Sequence, residues 1–215
     1  MINHSLKHLE HFKVMDTQTQ TVSYGCSQSF YTSRWKRLSG CGPTAASNLV
    51  IYNQMSNIDM DPLKIETCRH IMNGMFDYVT PGIGGVNSTQ RFLKGIHRYL
   101  KNHELAYTTR HLDIPKLKEK RPSLAHVIAF IAQALQEDTP VAFLNLHNGE
   151  TKELDEWHWV TIVNISYPED LSRASIQIMD DGKLFNIELG VWLETTQNKG
   201  GFICLPMLIK EGLSK

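Results

Sequence analysis

Apolar positions change their spacing part-way along the chain. Between residues 43 and 54, Ala46, Leu49, Val50 and Asn53 recur at three- and four-residue intervals, the repeat of one helix face. Residues 62–75 show the same spacing through Leu63, Ile65, Cys68, Ile71, Met72 and Met75. The stretch VTPGIGGVNST then interrupts it, because Pro81 and the glycines at 82, 84 and 85 do not suit a regular element. Asn87 or Ser88 is placed to cap a third helix reaching about Lys101, with Phe92, Leu93, Ile96, Tyr99 and Leu100 on its apolar face. A short strand-like run lies near 105–112. Residues 123–136 then form a fourth helix, with Leu124, Val127, Ile128, Ile131, Ala132 and Leu135 inward.

From Thr139 the period shortens. PVAFLNLH, WHWVTIVNI, ASIQIMD, KLFNIEL and GFICLPMLI are short β-branched and aromatic runs separated by turn residues, the signature of an antiparallel sheet. Ahead of the helices, residues 1–20 are polar with a weak helical repeat and read as a surface arm, and residues 24–39 read as an ordered loop. Helices first and strands later predict an α+β fold. With 215 residues the simplest division is one domain, its mainly helical lobe at about 1–138 and its mainly antiparallel sheet lobe at about 139–215.

Composition narrows the function. Lys plus Arg and Asp plus Glu number 22 each, which leaves no polycationic footprint, so no nucleic-acid partner is expected. No stretch is apolar for long enough to span a bilayer, and the N-terminus has no apolar core of a secretion signal, so no membrane partner is expected. Four widely spaced cysteines without a CxxC read as reduced thiols in a cytoplasmic protein. His4, His8 and His11 fall at helical spacing that could line one face for a metal. A solvated helix is the simpler reading, since no carboxylate or cysteine is arranged to complete a site, and no metal or cofactor is expected.

The stretch SGCGPTAASN sets Cys41 between two glycines, ahead of Pro43 and a helix. Pro suits the first helical turn, where its missing N–H costs nothing. Cys41 is therefore expected at a helix N-terminus, where the dipole and free N–H groups favour a thiolate. Small neighbours would let a carbonyl approach the sulfur, and the Cys41 N–H could face an oxyanion. A buried structural cysteine would fit the tetrad equally well. Among ten histidines, His158 has the best setting for a base, near the start of a central strand and between two tryptophans. If that strand and ASIQIMD form a hairpin, pairing His158 with Asp180 places the turn in YPED and both side chains on one face. A one-residue slip would substitute Asp181.

GCGPTAASN, WHWVTIV and IMDDG, in that order, resemble the papain-like cysteine peptidase superfamily, and most of all the stand-alone relatives of the double-glycine (bacteriocin) leader peptidases. The resemblance implies a papain-like α+β fold, a helical lobe with the nucleophile at a helix N-terminus packed on an antiparallel sheet. It makes Cys41 the nucleophile, His158 the base and Asp180 the orienting group. It also calls for an upstream glutamine as oxyanion donor. The usual position, six residues before the cysteine, is Trp35, and the nearest glutamine upstream is Gln28. The expected function is a cysteine peptidase or amidohydrolase acting on a peptide or amide through a thioester. An acyltransferase using the same thioester, and an inactive binding or regulatory module, are the alternatives. The TPGIGGV loop would either line the cleft or merely connect helices.

Overall fold

The computed structural model describes residues 1–55 and 62–207. In chain order the elements are β1 (Ile2–Ser5), β2 (Lys13–Met15), β3 (Val22–Tyr24), α1 (Arg34–Ser39), α2 (Cys41–Met55), β4 (Leu63–Lys64), α3 (Ile65–Phe76), α4 (Thr89–Asn102) and β5 (Arg110–Ile114). They continue with α5 (Leu124–Gln136), β6 (Val141–Asn145), β7 (His158–Tyr167), β8 (Ser175–Asp180), β9 (Lys183–Glu188), α6 (Leu189–Thr195) and β10 (Gly200–Cys204). Single 3₁₀ turns occupy Leu9–Phe12, Gln28–Phe30 and Lys118–Lys120. None of the described helices is long and apolar enough to cross a membrane.

The main sheet runs β5-β10-β6-β7-β8-β9, with every pairing antiparallel. β6 and β10 are buried along their whole length, as expected for strands covered on both faces. The ten-residue β7 is the spine. Its first half pairs with β6, from His158↔Asn145 to Ile162↔Val141, and its second half pairs with β1, from Asn164↔Ser5 to Tyr167↔Ile2. β1 thus continues the sheet edge where β6 stops. The N-terminal segment expected as a helical surface arm is therefore a strand, a 3₁₀ turn and a second strand. Its apolar residues are too few for a helix face, and Leu6, Phe12 and Val14 are buried.

The four helices read from the sequence form, with Ser88 capping α4 and Ser123 capping α5 through their hydroxyls. Two more were not foreseen. α1 lies within the expected loop, and α6 buries Trp192 directly after β9. Leu208 and Ile209, at the end of the last expected strand, lie outside the described residues. α2 is buried at every position except Gln54, so it is a core helix packed on the sheet rather than an amphipathic surface one. Trp159 joins the cluster around α2 and α4, whereas Val160 and Ile162 join the cluster with α5. Strict alternation fails at Val163, where a β-bulge shifts the register and brings Val163 and Ile165 into the α5 cluster as well.

Candidate active site

Cys41 is the first residue of α2, 8% exposed, and Gly40 closes α1 immediately before it. The Gly40 carbonyl accepts the first helical hydrogen bond, from Thr44 N at 2.9 Å. The two glycines have packing reasons. A Cβ on Gly42 would meet Val86 at 2.7 Å, and one on Gly40 would meet the Lys36 carbonyl at 2.4 Å and the Tyr31 ring at 2.5 Å. Closeness between α2 and its neighbours, which the sequence reading did not anticipate, is therefore sufficient to require both.

His158 opens β7, one residue after Trp157, whose φ of 57° is unusual for a bulky side chain. His158 Nε2 and Asp180 Oδ1 are 2.7 Å apart, both side chains about four-fifths buried. The hairpin delivers this pair in a register different from the expected one. His158 opposite Asp180 would have set Thr161 opposite Gln177, but Thr161 pairs with Met179, two residues along. A two-residue displacement preserves the face, because side chains alternate with period two, so the contact forms on the diagonal. Asp181 does not compete for the imidazole. With Gly182 it forms the two-residue turn of the β8–β9 hairpin, both at positive φ, the conformation that favours Asp-Gly. From there its Oδ1 accepts a hydrogen bond from Ser27 Oγ at 2.5 Å.

That bond fastens the segment carrying Gln28. Ser27 caps the 3₁₀ turn by accepting from Ser29 N, and Cys26 N donates to the buried Asn48 Oδ1 of α2 at 2.8 Å. Gln28 Nε2 donates to the Arg37 carbonyl of α1, and its Oε1 is sealed off without a partner. Gln28, Cys41, His158, Asp180 and Asp181 line one small cavity, and all of these but Cys41 also line a cleft of about 310 Å³ with Ser29, Arg37 and Asp155. The four residues proposed from sequence are thus brought together. Ser27, Asn48 and the second role of Asp181 were missed, and only the Asp-Gly turn signal pointed toward any of them.

The glycine loop packs behind the head of α2. Gly82 and Gly85 bridge to each other, and Val86 reaches Gly42 while its carbonyl accepts from Trp159 Nε1 at 2.5 Å. TPGIGGV thus touches α2 and β7 through Val86, and neither of the two cavities at the site is lined by its residues. A larger cavity of about 600 Å³ lies elsewhere, beside α5 and α6, and two of the three cations that line it are committed. Lys118 pairs with Glu194, and Arg121 binds four backbone carbonyls.

The imidazole has a distinctive charge balance. Burial would lower the His158 pKa, but the Asp180 carboxylate, and then the Cys41 sulfur, outweigh it and raise it to about 10. Cys26 and Cys204, by contrast, are pushed up by burial, which favours their neutral thiols.

No family model and no curated protein matches this chain. Among solved structures, the crystal structure of UfSP from C. elegans matches with a TM-score of 0.55 over 96% of this chain. The two share a fold. Identity is 9%, and the chain spans about a third of the length of that protein, covering 34% of it. At that distance the likeness concerns the course of the backbone, a mixed helical and antiparallel-sheet architecture.

Proposed function

We propose that the protein is a cysteine hydrolase cleaving a peptide or other amide bond, with Cys41 as nucleophile, His158 as acid and base, Asp180 as orienting group and Gln28 as oxyanion donor. The observation that carries this reading is the 2.7 Å contact between His158 Nε2 and Asp180 beside a cysteine at the head of a buried helix. Asp180 occupies Nε2, which leaves Nδ1 as the ring nitrogen for the sulfur. A raised imidazole pKa suits the imidazolium form, the charge partner of a thiolate nucleophile.

The Cys41 thiolate adds to the carbonyl carbon, forming a C–S bond and an oxyanion. The Cys41 N–H and the second N–H of Gln28 Nε2 are the donors assigned to that oxyanion. Collapse breaks the C–N bond as His158 Nδ1 gives its proton to the departing amine. Water then attacks the thioester while the neutral imidazole takes its proton. Release of the acid regenerates thiolate and imidazolium.

Asp181 holds Ser27, and through it the Gln28 turn, so the adjacent carboxylates 180 and 181 serve the base and the oxyanion donor respectively. The closer relation to double-glycine leader peptidases rests on the SGCGPTAASN-type motif and stays with this proposal. The test is to mix the protein with an activated peptide ester and follow intact mass. A thioester adduct on Cys41 that decays in water, and is absent from Cys41→Ala and His158→Ala, is expected. Absence of any adduct in the unmodified protein would overturn the assignment.

A further inference from the structure

The N-terminal segment departs most from its expected form, and the departure assembles a set of ligands. His4, His8 and His11 were spaced as one helix face, but His4 lies in β1 and bonds Tyr167 Oη at 3.1 Å. His8 caps a 3₁₀ turn that contains both Glu10 and His11, which brings the three together. One donor atom from each of His8, Glu10 and His11 falls within 4.8 Å of the others. His8 Nδ1 and Glu10 Oε1 are 3.0 Å apart, and the two imidazoles stack with centroids 4.9 Å apart. His11 Nδ1 is sealed from solvent without a hydrogen-bond partner, a state that calls for an occupant.

We propose that His8, Glu10 and His11 form a binding site for a divalent transition metal, Zn²⁺ foremost, independent of the candidate active site. Two borderline imidazoles joined by one carboxylate are a donor set of Zn²⁺ sites, whereas Ca²⁺ and Mg²⁺ take oxygen ligands, and the set leaves a fourth position for water. The three residues lie within four positions of sequence, so closing the chelate orders little extra chain. The turn is already held at both ends. His8 N donates to Tyr52 Oη, which donates to Asp138 Oδ1 at 2.6 Å, and the buried Phe12 ring stacks on Tyr52 at 5.0 Å.

The experiment is a Zn²⁺ titration by calorimetry of the full chain carrying Cys41→Ser, which removes the competing thiolate. One Zn²⁺ per chain at micromolar affinity is expected, weakened in His8→Ala and in His11→Ala by no less than the ~10-fold that even outer partners of a metal site cost. Circular dichroism of each metal-free variant checks its fold. Should either variant misfold, proton NMR of the Cys41→Ser chain decides: Zn²⁺ should shift the ring signals of His8 and His11 ahead of every other histidine. Affinity unchanged in both variants, binding only at millimolar Zn²⁺, or shifts confined to other histidines would overturn the site.

Discussion

His158 is pulled in two directions, by burial toward the neutral ring and by Asp180 and Cys41 toward the charged one, and the second pull wins with a pKa of about 10. Because the folded value lies above the ordinary one of about 6.5, this group stabilises the fold fully below about pH 6.5 and loses that contribution as pH rises through about 10. Denaturant titrations across that window should show stability falling in the unmodified protein and falling less steeply in Asp180→Asn. Proton NMR should place the imidazole titration lower in the same variant; an unmoved titration would remove Asp180 as the orienting group. Gln28→Ala should lower kcat by about 10²–10³ if its amide serves the oxyanion. An unchanged kcat would assign Gln28 to holding α1 alone.

Among the elements, α2 does most to place the chemistry, and its helical repeat was legible because residues 43–54 keep their apolar spacing. The cap at Ser88 was legible as one of two candidates with Asn87, because a hydroxyl precedes that apolar face, whereas Ser123 was read only as a helix start. α1 was not, because RWKRLS has no apolar face and exposes Trp35 and Leu38. The register of β7 against β8 was displaced by two residues because the bulge at Val163 and the longer turn after Tyr167 leave no local mark in the sequence. His158 and Asp180 still meet because that displacement preserves strand parity. The seat of α2 is tight: Gly42→Ala must push Val86, and overpacking of this kind costs about 1–3 kcal/mol, measurable as a lower denaturation midpoint. Asn48→Leu should lower stability by about 1–3 kcal/mol by leaving Cys26 N unpartnered in the interior.

For the whole molecule, the order of helices before strands was correct for the architecture but not for its assembly. β1 and β5 join the main sheet from the half read as mainly helical, and pairings so distant in sequence carry no local periodicity. The course of the chain brings Cys41 from one layer to His158 and Asp180 in the other, which is how residues more than a hundred positions apart share one cavity. The same layering buries all four cysteines, Cys41 at 8% exposure beside Cys26 at 5%, so burial alone does not set Cys41 apart. Site-resolved alkylation with iodoacetamide at mildly acidic pH, read by peptide mass spectrometry, therefore tests the central claim most directly. An activated thiolate predicts that Cys41 is modified well ahead of the other three cysteines and that His158→Ala abolishes the advantage. Modification of Cys41 no faster than of the others, or an advantage untouched by His158→Ala, would contradict it.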